Sequence, residues 1–277
     1  MGSGFGGLTA AKALAKDSSL RIVLLDRRNY HLFQPLLYQV ATAALSPADI
    51  AVPIRSVFSK QPNVFVYLAN AISIDKSNRR LITSTGEFNY DFLILACGAK
   101  NSYISHPEWE EMAPGLKTLE QATEIRRRVL LSFEEAEKQP TREQQRFFLT
   151  FVIIGGGPTG VELAGAIAEI SRFTLDRDFR NIDPTSTRVV LIEAGPRLLA
   201  GFDPVSSKRA HRDLEVLGVQ ILTNSRVTEV HSTGVRLGEE VIRAHTIIWA
   251  AGVQASSLGK SLDVPVDSMG RVIVNPD

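Results

Sequence analysis

The sequence predicts an α/β chain made of two Rossmann-like units, each a parallel sheet with crossover helices. Three observations predict it. Short apolar runs rich in β-formers alternate with amphipathic helical stretches. Glycine turns of one form, at Gly2 and at Gly155, open two of those helices. The two halves of the chain also repeat one another in plan. A length of 277 residues fits two domains of ordinary size.

In chain order, Met1–Lys16 reads as a glycine turn and then a helix with Leu8, Ala11, Leu14 and Ala15 on its apolar side. Leu20–Leu25 is an apolar run expected as a buried parallel strand. Tyr30–Lys60 is less regular; Ser46 and Pro47 are expected to cap and begin a helix running toward Phe58. Asn63–Thr85 alternates like a hairpin or meander, and Phe92–Ala96 reads as a buried strand ending at Gly98. Leu119–Gln139 is helical, because Leu119, Ala122, Ile125, Val129 and Phe133 form one apolar stripe beside the solvated Arg126–Arg128. Pro140–Gln145 is a polar joint. A strand over Phe148–Ile154, a helix over Pro158–Phe173 and a strand over Val189–Ile192 follow. Asp203 and Pro204 start a helix that stops near Gly218. Val219–Thr223, Ser225–Val230 and Thr246–Trp249 are the remaining strands. The repeat is then Gly2…Asp26…Ala96-Cys97-Gly98 against Gly155…Glu193…Ala250-Ala251-Gly252.

Composition excludes several classes. Lys and Arg number 31 against 30 Asp and Glu, so charge gives no argument for a nucleic-acid partner. A single cysteine, Cys97, allows no internal disulfide and no Cys-x-x-Cys pair; it is expected as a small buried residue at a strand end rather than a nucleophile. The five histidines lack ligand spacing, so no metal site is expected. No leader-like basic and apolar run follows Met1. The most apolar stretch, Phe148–Ile170, carries Glu162, Glu169 and five glycines, which suits a buried strand, turn and helix and not a membrane span.

Gly2-x-Gly4-x-x-Gly7 fits the dinucleotide fingerprint: a tight turn, a close backbone approach to pyrophosphate, and close packing of helix on strand. Helix-start amides then face the phosphates. Asp26, 24 residues after Gly2, ends the next strand, where a carboxylate bonds a ribose hydroxyl. The strand that should precede Gly2 is missing from the sequence. Gly155-x-Gly157-x-x-Gly160 has its full context, strand before and helix after, with Glu193 closing the following strand. The 38 residues from Gly155 to Glu193 exceed the usual spacing of about 20, and a polar insertion over Leu175–Thr187 accounts for the excess. An acid there favours NADH over NADPH, while the nearby Arg197 leaves the phosphorylated cofactor open. For both turns the plain alternative is a structural glycine bend without ligand. Glu162, in the first turn of the second helix, is either a helix-end charge or a group near the nicotinamide that positions the ring or relays a proton.

The duplicated layout resembles the two-dinucleotide-binding flavoproteins of the disulfide-reductase superfamily. More narrowly, the chain is similar to type II NADH dehydrogenase, the single-subunit NADH:quinone oxidoreductase. The residues that carry this are Gly2-Ser3-Gly4-Phe5-Gly6-Gly7, Asn29 through Ala41 (NYHLFQPLLYQVA), Leu45-Ser46-Pro47, Pro53-Ile54-Arg55, Tyr90-Asp91, Gly155 through Gly165 (GGGPTGVELAG), and Trp249-Ala250-Ala251-Gly252-Val253. The likeness runs over essentially the whole chain, and Asn29–Ala41 is its specific part.

The resemblance implies an FAD/NAD(P)-binding two-domain fold, the second domain inserted in the first: residues 1–112 with 255–277 for FAD, and 113–254 for NADH. FAD would lie along Gly2, Gly4, Phe5, Gly6 and Gly7 with Asp26 on its ribose. The Gln39-Val40-Ala41 turn would lie near the flavin ring, Ala71 backbone would meet the adenine, and Gly98 would back the pyrophosphate. NADH would use Gly155, Gly157, Pro158, Thr159, Gly160 and Glu193, with Ala251-Gly252 over its phosphates. The implied reaction passes hydride from NADH to FAD and two electrons to a quinone. A peripheral position on the cytoplasmic side of the inner or plasma membrane is implied, through a C-terminal part beyond this sequence, and a homodimer is a further expectation. Competing readings are a ferredoxin- or rubredoxin-type reductase and a non-catalytic dinucleotide-binding module; disulfide reductases and sulfide:quinone oxidoreductase would need paired cysteines.

Overall fold

A computed structural model of the chain describes residues 1–175 and 177–275; of the expected insertion, Asp176 lies outside the described residues, as do Pro276 and Asp277 of the expected first domain. The chain divides into two compact units. One comprises Met1–Phe33, Ala48–Lys100 and Val253–Asp277, the other Gln34–Pro47 and Asn101–Gly252.

In the first unit, the helix Phe5–Leu14 follows the glycine turn, and the strand Ile22–Asp26 pairs in parallel with Val64–Leu68. Both faces of Ile22–Asp26 are covered. Leu24 packs with Ala11, Ile54 and Phe58, while Leu25 packs with Ala69, Ile74, Leu81 and Leu258. Alternate residues of an extended chain point to opposite faces, so an unbroken apolar run serves both. Ala71–Asp75, Arg80–Thr83 and Gly86–Asn89 form an antiparallel meander, reaching past the expected Thr85.

The second unit holds a four-stranded, wholly parallel sheet in the order Gln220–Leu222, Arg188–Ile192, Thr150–Ile154, Thr246–Trp249. Every residue of Thr150–Ile154 is buried. One sheet face meets a cluster with Tyr103, Trp109 and Trp249; on the other, Phe151 lies 5.7 Å from Phe133 of the helix Leu119–Glu137. That helix is capped by Thr118, and Pro204–Val216 is capped by Asp203, whose carboxylate accepts the amides of Val205 and Ser206. Glu229–His231, Gly234–Leu237 and Glu240–Arg243 make a separate antiparallel meander.

Several expectations are corrected. The helix from Pro47 toward Phe58 is broken into Pro47–Ile50 and Ile54–Val57 by a three-residue strand, Ala51–Pro53, paired with Tyr30–Leu32. Pro53 has no amide to donate and disfavours helix in the residue before it. Phe92–Ala96 is not a buried strand. Leu93 and Leu95 face the core, but Phe92 is 94% exposed, and the segment's backbone partner is Met1, through two hydrogen bonds. Cys97 at its end is exposed, although the protein packed around it still pushes its thiol upward. The joint after Pro140 contains a helix, Arg142–Phe148, capped by Thr141. The helix Pro158–Glu169 ends in a wider turn over Ile170–Thr174. Ser225–Val230 is strand only from Glu229, because the amides of Asn224 and Ser225 bond Gly195 and Glu193 oxygens instead of a ladder.

The two units are units of packing, with limits of their own. Gln34–Pro47 belongs to the second unit, since its helix Leu37–Ala41 packs on Leu119–Glu137 and Pro158–Glu169. Asn101–Met112 does too, through Tyr103 and Trp109.

Candidate functional site

The two glycine turns share one backbone plan. Gly2 takes φ +90° and Gly155 φ +113°, conformations that favour glycine. Gly2 N donates to Leu25 O and Gly155 N to Ile192 O, each at 2.7 Å. A Cβ on Gly7 would collide with Gly2 O, and one on Gly160 with Gly155 O. These third glycines let helix and turn touch. The middle glycines differ: a Cβ on Gly4 or on Gly157 would meet nothing within 4 Å. Each is the N-cap of its helix, without a side-chain cap, so first-turn amides are left for a ligand.

Each turn is tied to its acid in the same way. Asp26 Oδ2 accepts the Ser3 amide at 2.6 Å, and Oδ1 accepts the Arg28 amide at 2.8 Å. Glu193 Oε2 accepts the Gly156 amide, and Oε1 the Gly195 amide, both at 2.6 Å. Ser3 Oγ adds a bond to Asp26 at 2.7 Å. The segments that end in Ala-x-Gly also correspond: Ala96 N donates to Met1 O at 2.8 Å, and Ala250 N to Ile154 O at 2.7 Å. Gly98 and Gly252 both have positive φ. The backbone of Ala250 and Ala251 stands 2.6 Å from where a Gly155 Cβ would be, so this turn lies directly over the glycine bend.

The other expected residues fall as follows. Phe5 is the first helical residue, half-exposed, with His31 and Phe33 edge-on to its ring. Gly6 has ordinary room beside Ala96. Ala71 opens the meander of the first unit. Pro158 and Thr159 are the first two residues of the second helix. Gln39, Val40 and Ala41 form no turn; they end the helix Leu37–Ala41, with Val40 and Ala41 fully buried. Glu162 is the fifth residue of Pro158–Glu169 and so lies beyond the first turn, which holds no acid. Water reaches its carboxylate, yet partial burial pushes its pKa upward.

A family model for pyridine nucleotide-disulphide oxidoreductases matches residues 1–277. The chain belongs to that family. Among curated relatives, it is 43% identical over its full length to the type II NADH:quinone oxidoreductases Ndh and NdhA of Mycobacterium tuberculosis. It is 30% identical over 95% of its length to the external NADH-ubiquinone oxidoreductase 2 of Saccharomyces cerevisiae mitochondria. The chain spans 62% of the length of each mycobacterial relative and 50% of the yeast one. In fold, this pyridine nucleotide-disulphide oxidoreductase is similar to NDH2 of Plasmodium falciparum, with a TM-score of 0.84 at 24% identity over 94% of this chain and 55% of that one. A ferredoxin reductase of Rhodopseudomonas palustris follows at 0.75 and 21% identity, over 96% and 61%.

Some residues of the sites were not anticipated. Buried His31 places Nδ1 2.8 Å from Ser3 O, inside the first turn. A carbonyl only accepts, so Nδ1 carries the proton. The Leu198–Leu199 loop supports the second turn, with Leu198 Cδ2 close beneath Gly156. His31 sits in the Asn29–Ala41 stretch that made the resemblance specific, which was the one available signal; Leu198 and Leu199 follow the acid by a few residues and carry no pattern of their own.

Proposed function

We propose that the protein of which this chain is part is a flavin-dependent NADH:quinone oxidoreductase, with FAD held by the unit of Gly2 and NADH by the unit of Gly155. The observation that carries this reading is the doubled turn: two open middle glycines, each backed by uncapped helix amides and flanked by an acid. That cradle fits a pyrophosphate, and the acid fits a ribose diol. Names borne by relatives at 43% and 30% identity support the activity.

When bound, FAD supplies the chemistry, taking a hydride equivalent from NADH and yielding two electrons to a quinone. The chain's own residues do the holding. Gly4 and Phe5 amides, with Gly6 and Gly7 behind them, grip the flavin's diphosphate, and Asp26 takes its ribose. Gly157 and Thr159 amides would do the same for NADH under Ala251-Gly252, with Pro158, which has no N–H, starting the helix and Gly160 packed against Gly155 behind them. Glu193 accepts from an unphosphorylated ribose and repels a 2′-phosphate. Glu162, its carboxyl raised by burial, is suited to hold or pass a proton beside the nicotinamide.

A quinone acceptor puts the protein at a membrane surface. Among the described residues no helix is long and apolar enough to cross one. Peripheral attachment on the cytoplasmic side, through sequence that the longer relatives have beyond this stretch, is part of the proposal, as is a homodimer. The test is anaerobic stopped-flow mixing of the full-length protein with NADH. Bleaching of flavin absorbance, followed by recovery on adding a quinone, is expected. A flavin left oxidised by NADH would sink the scheme; recovery with an iron–sulfur protein and not with quinone would move it to the ferredoxin-reductase class.

A further inference from the structure

Gly156 is held at both ends. Its amide donates to Glu193, and its carbonyl accepts the Leu199 amide at 2.8 Å. The next peptide therefore leaves Gly156 in one direction only, and that peptide leads into Gly157, the open glycine of the turn. Leu199 reaches this carbonyl from a left-handed conformation, φ +50°, which L side chains rarely adopt. Something must hold it there. The Phe202 amide closes the turn on Leu199 O at 2.8 Å, and the Arg197 guanidinium ties the turn together, donating to Leu199 O at 3.4 Å, Ala200 O at 2.8 Å and Phe202 O at 3.0 Å. Beneath, Leu198 is fully buried and its carbonyl accepts from Ser207 Oγ at 2.6 Å.

The first unit reaches the same end with different atoms. Ser3 occupies the place of Gly156; its amide is taken by Asp26 and its carbonyl by His31. Two unrelated solutions for one carbonyl, a backbone amide in one unit and an imidazole in the other, show that its orientation matters to the turn. We infer that Arg197 is a positioning residue for the NADH turn, clamping residues 199–202 so that Leu199 fixes Gly156, and is not a receptor for a 2′-phosphate. Its donors are directed to carbonyls, and Glu193 occupies the strand end beside the turn where a 2′-phosphate would have to fit.

This inference rests on NADH binding at Gly155, and the experiment keeps the two apart. Full-length, flavin-loaded wild type, Arg197→Ala and Arg197→Lys are titrated with NAD+ and reduced with NADH and NADPH in the stopped flow. Wild type that neither binds NAD+ nor is bleached by NADH would overturn the reading of the site itself. Given a working wild type, Arg197→Ala is expected to weaken NADH and NADPH alike by about tenfold in the concentration dependence, leaving the limiting rate of flavin reduction in place. Arg197→Lys should recover little of this, because one ammonium cannot span three carbonyls as a planar fork does. Adding Leu199→Gly to Arg197→Ala should restore much of the affinity, since glycine takes φ +50° unaided. Three results overturn the clamp: a loss confined to NADPH, full rescue by lysine, or unchanged affinities in Arg197→Ala. Should Arg197→Ala not fold, Arg197→Lys alone carries the test: a parallel loss of NADH and NADPH affinity supports the clamp, and a loss confined to NADPH, or none, overturns it.

Discussion

One added methyl group separates the space meant for ligand from the space meant for packing. Gly157→Ala meets no atom within 4 Å, so its thermal transition should match wild type while NADH affinity falls by about tenfold or more, read by stopped-flow titration. Gly160→Ala drives a methyl into the Gly155 carbonyl, and the protein should lose roughly 1–3 kcal/mol in urea unfolding. Were Gly157→Ala to bind NADH normally, the open side of that glycine would not be where the diphosphate lies. Glu162 gives a pH prediction. Burial raises its carboxyl, so the folded state holds the proton more tightly than the unfolded state. That favours folding at pH below the ordinary value of 4.5, and the contribution disappears as pH rises through the folded value. Glu162→Gln should therefore gain on wild type in urea midpoint between pH 4 and pH 7. At this scale the glycines and both acids were legible, because each has a local rule: a positive φ, an approach too close for a side chain, a strand end. His31, Leu199 and the direction of Arg197 were not, because their meaning lies in carbonyls brought near only by folding.

Helices with both a periodic stripe and a cap were legible nearly to the residue, as with Leu119–Glu137 behind Thr118. Thr118 Oγ1 accepts the Gln121 amide, and Thr118→Ala should cost about 1 kcal/mol, measured by urea unfolding. On the same helix, Arg127 and then Arg128 bond the Glu124 carboxylate and hold it down to about 2. A depressed carboxyl stabilises the fold above its ordinary value of 4.5, and the contribution is lost as pH falls from there toward about 2. With the side chain 34% exposed, Glu124→Gln should cost less than about 1 kcal/mol at neutral pH, and its curve should meet wild type near pH 2. Elements whose form depends on distant partners were harder. Phe92–Ala96 is apolar enough for a central strand, yet composition does not say which face finds a neighbour. The segment from Pro47 to Phe58 breaks because Tyr30–Leu32 offers Ala51–Pro53 a pairing. The wider turn at Ile170–Thr174 comes just before the insertion expected over Leu175–Thr187, in residues expected as helix up to Phe173.

The repeat made two units legible, but not where the chain changes from one to the other. Gln34–Pro47 is assigned by what its short helix packs on, and no local signal marks that. Both tryptophans, Trp109 and Trp249, lie in one cluster of the second unit with rings 5.6 Å apart. Tryptophan emission therefore reports the second unit, while flavin release would report the first if FAD is held there as proposed. On heating the full-length protein, the two signals should give separate midpoints, since two-domain chains commonly leave two-state behaviour. Coincident midpoints, with and without NADH, would mean that the units unfold as one. The lone thiol offers a way to watch the first unit directly. Cys97 stands on the surface between Ala96, against which Gly2 turns, and the left-handed Gly98. A maleimide dye would attach at one address in the chain, slowly at neutral pH because so little thiolate forms there. Its colour would then follow flavin arrival and departure without a single substitution.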